Sequence, residues 1–295
     1  MTVCTTKVVM VYILKMKSYL KLVGALVIVS ILIPIIFYVC LQLWGDWNDE
    51  WTGYNNSLSV SDGYCNIAVV PIMGEIHSYG ALYDDYGNEV VSTNMSDSLE
   101  LIRRAEEDLN ILGILALVDS PGGTAAAAEM IGDELKSSSV PVAAYIAESG
   151  TSAAYLVASA ADTVIASPFS DVGSIGITMS YLNYTEQNKE QGVEFISLTS
   201  AKYKDYTNPD KPLTYDERIL LERDLAIWHD EFVNQVAMNR TLNKDDVLKL
   251  ADGSSVPGKL ALETGLIDAL GTKETARDWF AEQLNVSSKE IVFCQ

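Results

Sequence analysis

The feature that most constrains this chain is the alternation, between Asn66 and Ala166, of short uninterrupted apolar runs with helix-forming ones. "NIAVVPIM" (66–73), "ILGILALV" (111–118), "VPVAAYIA" (140–147) and "DTVIA" (162–166) have the length and the β-branched content of strands. Between them, "SDSLELIRRAEEDL" (96–109, with Ser96 as expected cap), "TAAAAEMIGDELKSS" (124–138) and "SAAYLVASAA" (152–161) have helical character. Strands that are apolar throughout, not at every second residue, are buried on both faces. That is the situation in a parallel sheet covered by helices, so the expected fold class is α/β. Further along, Thr214 and Glu217 form a capping box opening a long helix with Leu221, Leu225, Trp228, Phe232 and Val236 along one face, a stripe expected to pack.

Upstream of this region, Leu22 to Trp44 ("LVGALVIVSILIPIIFYVCLQLW") contains no charge and is long enough to cross a bilayer as one helix. Lys7, Lys15, Lys17 and Lys21 precede it, while Asp46, Asp49 and Glu50 follow, and the lysine bias places the N-terminus in the cytoplasm. No Ala-x-Ala-like cleavage site ends the stretch, which argues for an anchor over a cleaved signal peptide. The expected organisation is a cytoplasmic segment (1–21), a transmembrane anchor (22–44), a polar linker (45–64) and one folded domain (65–295) outside the cytoplasm. Of the 20 basic residues, four precede residue 45; the exported part therefore has 16 against 40 acids, a net −24. Such a surface excludes nucleic acid and anionic headgroups as natural partners. Cys65 and Cys294, at the two ends of the exported domain, are expected to form a disulfide.

Only His77 and His229 are available as histidines, neither in a motif, so no metal cluster is expected and a serine enzyme would need another base. Two segments that follow strands, and are expected to be loops, have the composition of a reactive site. "DSPGGT" (119–124) offers glycine N–H groups at a helix start, and "SGTSAAY" (149–155) puts Ser152 at the head of a small-residue helix. A serine there is ordinarily a helix cap whose oxygen accepts first-turn N–H groups. It becomes a candidate nucleophile if a base exists, and Lys202 or Lys204 in "SAKYKD" (200–205) can be that base in a Ser–Lys scheme.

"DSPGG", "SAAYLVASAAD" (152–162), "DVGSIGI" (171–177), "SAKYKD" and "LALETGLIDALG" (260–271) occur here in that order. In order and spacing they resemble the signal peptide peptidases of the SppA type. The resemblance covers about Ile67 to Gly271. It implies a crotonase/Clp-protease-like fold of stacked strand-strand-helix units and a serine endopeptidase that degrades signal peptides, with no cofactor. Carried over by position, the nucleophile is Ser152, not Ser149 or Ser159, and the general base is Lys204, with Lys202 second. The oxyanion hole is formed by N–H groups of Gly122 or Gly123 and of Ala153, and Gly173, Ser174, Ile175 and Gly176 line the substrate groove. It further implies a homo-oligomer in which serine and lysine come from adjacent subunits. "PFSDVGSIGI" (168–177) contains Asp171 as its one charge, so substrate side chains near the bond are expected to be small or apolar. One departure stands out: Ser-Ala-Ala-Tyr at 152–155 replaces the family's usual Ser-Gly-Gly-Tyr. It keeps open an inactive scaffold, and a crotonase-type acyl-CoA enzyme is the other alternative.

Overall fold

The computed structural model describes residues 60–294. The candidate anchor Leu22–Trp44 and most of the linker lie outside the described residues. Among those described, no helix is long and apolar enough to cross a membrane.

The strands are β1 (Ile67–His77), β2 (Ser92–Asn94), β3 (Gly113–Gly123), β4 (Val142–Thr151), β5 (Thr163–Ala166), β6 (Asp171–Gly173), β7 (Ser255–Pro257) and β8 (Ala269–Leu270). The helices are α1 (Met95–Glu107), α2 (Ala125–Lys136), α3 (Ala153–Ser159), α4 (Thr185–Glu190), α5 (Tyr215–Asn239), α6 (Lys244–Leu250), α7 (Gly258–Glu263) and α8 (Lys273–Leu284). The sheet runs β2-β1-β3-β4-β5-β8, and every pairing along that path is parallel. The alternation in the sequence is thus realised as a parallel α/β sheet.

Both faces are covered, which is why the strand runs are apolar throughout. Ala68, Val70, Ile72, Ile114, Ala116, Val142 and Ala144 face α1, α2 and α3. Ile67, Leu115, Ala143 and Ile165 face the other way, onto Phe280 and Ala276 of α8. The C-terminal residues lie along the start of β1, with Cys294 donating its N–H to the Ile67 carbonyl. The expected disulfide between Cys65 and Cys294 is present there. Ser61, just before it, is buried, and its N–H donates to Asp108.

Two local expectations are corrected. The cap of α1 is Asn94, whose side chain accepts the Ser96 N–H; Ser96 itself lies inside the first turn. The segments 119–123 and 148–151, taken from sequence as loops, are the far ends of β3 and β4. Here the ladders shift register, between Met73 and Glu75 and between Val118 and Ser120. Beyond the shifts the strands take new partners: the near half of β4 pairs with β5, whereas Ser149–Thr151 pair with β6, which itself pairs antiparallel with β7. The sheet divides at the level where the candidate site begins.

Candidate active site

Ser152 occupies the junction of β4 and α3 with φ 53° and ψ −128°. A positive φ is uncommon outside glycine, and this ψ is far from the left-handed helical well that other residues use when φ is positive. Its N–H donates to the Gly173 carbonyl at 2.7 Å, and its carbonyl accepts from Tyr155 and Leu156. The hydroxyl makes no capping hydrogen bond to the helix it precedes. Ser152 is therefore held by its backbone while its side chain is left for another use, and the ordinary cap reading fails.

The Gly-Gly pair is required by this neighbourhood. A side chain on Gly122 (φ +104°) would place its Cβ 2.8 Å from the Ser152 Cβ and 2.9 Å from the Ala153 nitrogen. One on Gly123 (φ +147°) would come within 2.2 Å of the Ile76 carbonyl oxygen. The two glycines differ in what they can donate: the Gly122 N–H is engaged with the buried Ser120 Oγ at 3.1 Å. Gly123, and not Gly122, lines the groove at Ser152. Ala153 also lines it, and as the first residue of α3 its N–H has no acceptor within the helix. Ala153 and Ala154 are absent from the positive-φ residues, so the Ala-Ala departure imposes no conformation that needs glycine.

The groove itself has a volume of about 510 Å³. One wall is Gly123 to Ala126 with Ser152, Ala153 and Leu156; the opposite wall is Trp228, Phe232 and Gln235 of α5. Of the "GSIG" residues, Gly173 binds the Ser152 N–H and Gly176 lines the groove. Ile175 is buried in the core, and the Ser174 hydroxyl turns away to the Gly253 carbonyl. At the α5 end, the Gln235 amide donates to both Glu129 and Glu231.

The α5 stripe is only partly packing. Leu221, Phe232 and Val236 are buried, but Trp228 is 48% exposed and faces the groove. Sequence reasoning missed this wall because an amphipathic stripe looks the same whether it meets a core or a groove.

The two lysines behave differently. Lys202 pairs with Asp216 at 2.8 Å, and that carboxylate, with Tyr203, raises it above the usual lysine range, which keeps it charged. Lys204 is exposed, makes no side-chain hydrogen bond or ion pair among the described residues, and is not among the residues lining the groove. A single chain thus brings together Ser152, Gly123, Ala153, Gly173 and Gly176 and leaves Lys204 apart. The segment carrying Lys204 exposes apolar side chains, with Leu182, Ile196 and Leu198 at 68%, 71% and 94%.

Residues 134–287 match the family described as Peptidase family S49. A protein of Methanocaldococcus jannaschii named as a protease is 32% identical over 75% of this chain and 73% of its own length. An Enterococcus faecium protein named as signal peptide peptidase SppA is 28% identical over 68% of this chain, and protease 4 of Haemophilus influenzae 28% identical over 74%. The match spans 59% and 34% of those two proteins. By the match over residues 134–287 and the relative that is 32% identical over 73% of its own length, the chain belongs to peptidase family S49 and is a serine endopeptidase of the SppA type.

Proposed function

We propose that this protein is a membrane-anchored peptidase that uses a Ser152–Lys204 dyad, completed between neighbouring copies, to degrade signal peptides retained in the membrane. The observation that carries the reading is the Ser152 backbone: a strained turn at the mouth of a groove, with its hydroxyl not spent on the helix cap. Ser152 Oγ attacks the scissile carbonyl while neutral Lys204 takes its proton. The N–H groups of Gly123 and Ala153 receive the developing oxyanion. The protonated lysine then returns the proton to the leaving amine, and Lys204, neutral again, takes a proton from the water that releases the acyl group.

Two features support sharing the site between copies. A lysine acting as a base must be desolvated to be neutral, and Lys204 is exposed in the single chain. The same segment exposes apolar side chains of the kind that a second copy buries. The apolar groove walls suit the hydrophobic part of a signal peptide. Leu22–Trp44 serves as the anchor, with the domain on the extracytoplasmic side, and the division of the parallel sheet near Ser149 supports the crotonase/Clp-like fold that the motifs suggest.

The test is labelling with a fluorophosphonate and turnover of an apolar peptide by wild type, Ser152→Ala and Lys204→Ala. Each variant should be inactive, and mixing the two should restore part of the activity because some interfaces join an intact serine to an intact lysine. A Ser152→Ala protein that still turns over substrate would overturn the nucleophile. Mixed oligomers that form yet stay dead would overturn the shared site.

A further inference from the structure

The motif "LALETGLIDALG" lies more than one hundred residues after Ser152, and the dyad chemistry leaves it without a task. In the fold it anchors the helix that carries the nucleophile. Tyr155, three residues after Ser152, is completely buried, and its hydroxyl donates to the Leu266 carbonyl at 2.7 Å. Burial raises the Tyr155 phenol well above the usual tyrosine range, so it remains a donor at any working pH.

The turn that accepts this bond is itself clamped. Arg240, whose side chain is only 6% exposed, donates through Nε and Nη2 to the Gly265 carbonyl, and Nη2 also reaches Asp268 Oδ1 at 2.6 Å. The other Asp268 oxygen accepts the Val164 N–H of β5 at 2.7 Å. At the far end of α3, Asn239 donates to the Ser159 hydroxyl. The seven-residue helix is therefore pinned near both ends, by the 265–268 turn and by the C-terminus of α5. A helix of two turns does not hold itself, and its placement comes from these contacts and from burial.

We propose that Tyr155, backed by Arg240 and Asp268, is a positioning residue that holds Ser152 in its reactive conformation. This rests on Ser152 being the nucleophile. The Ser152 carbonyl accepts from the Tyr155 N–H at 2.9 Å, so a shift of Tyr155 passes directly into the Ser152 ψ. A strained conformation persists only where its surroundings over-determine it. Here one restraint is the bond from Ser152 to Gly173, and the other is α3 held by Tyr155. Without the phenol hydroxyl, the Leu266 carbonyl loses its donor and the first turn of α3 is free to relax, which moves Oγ relative to the oxyanion donors.

The experiment uses the full chain and compares wild type with Tyr155→Phe, Arg240→Lys and the double variant. It measures kcat, KM and the rate of fluorophosphonate acylation. Tyr155→Phe keeps the ring and should lower kcat and the acylation rate together by about tenfold, since small misplacements of reacting groups cost rate steeply. KM should stay within about twofold, because the groove walls are untouched. Arg240→Lys should show the same pattern, and the double variant should lose no more than the worse single one, because both act through one turn. Unchanged kcat and acylation in Tyr155→Phe, or a loss confined to thermal stability, would overturn the positioning role. A multiplicative loss in the double variant would remove Arg240 from it. Ser152→Ala, run in parallel, separates this from the underlying reading: if it retains turnover, the nucleophile itself is wrong and positioning falls with it.

Discussion

The strain at Ser152 has a thermodynamic signature independent of catalysis. Ser152→Ala and Ser152→Gly both delete the hydroxyl, but only glycine can adopt φ 53° and ψ −128° without steric cost. Since Ser152 Oγ does not cap α3, its loss in the alanine variant should alter stability by no more than about 0.5 kcal/mol. The strain relieved in the glycine variant is about 1–3 kcal/mol for a residue in a sparsely populated region. Against it stands the greater freedom of glycine in the unfolded chain, about 0.4–1 kcal/mol. Ser152→Gly should therefore be more stable than Ser152→Ala by about 1 kcal/mol, or a Tm about 2–4 °C higher for a domain of this size. Urea unfolding, with the same m-value in both variants, measures the difference directly. A Ser152→Gly protein less stable than Ser152→Ala, as glycine is at an ordinary position, would refute the claim that this backbone is strained.

Three further outcomes follow from the same structure. The Cys65–Cys294 bond closes a separation of 229 residues, so its reduction, or Cys294→Ser, should cost about 2–5 kcal/mol and lower Tm by roughly 5–15 °C; unchanged melting of fully reduced protein would contradict this. Gly123→Ala and Gly122→Ala should both be destabilised, because each added Cβ meets backbone under 3.0 Å at a positive φ, and Gly122→Ala should in addition lower fluorophosphonate labelling by displacing Ser152. Normal labelling of Gly122→Ala would show that the contact is not needed. Glu217 is held below the usual carboxylate range, first by the Lys211 ammonium at 2.6 Å and then by the Thr214 N–H. Its folded pKa being depressed, its contribution is complete above the unfolded value of about 4.3 and is lost as pH falls through the lower folded value. Glu217→Gln should cost about 1–3 kcal/mol at pH 7 and progressively less on acidification, as followed by urea midpoints across pH; a gap that does not narrow would exclude the ion pair as its source.

What could be determined from the sequence alone was local or carried by motif. The apolar runs specify strands because a strand buried on both faces has no room for polar alternation, and the Thr214–Glu217 box was legible because capping involves residues three apart. Ordered motifs singled out Ser152 and the glycine pair as candidates. The tertiary structure decided what depends on partners distant in the chain. The ends of β3 and β4 looked like loops because Gly, Pro and Ser disfavour strands, yet pairing with Glu75, Ile76 and Asp171 draws them into the sheet. Trp228 became a groove wall because α5 leaves that part of its stripe uncovered, and no periodicity distinguishes such a position from a packed one. The φ of Ser152 and the anchoring of Tyr155 on Leu266, 111 residues away, arise because packing overrides local preference where several buried hydrogen bonds act on a short helix.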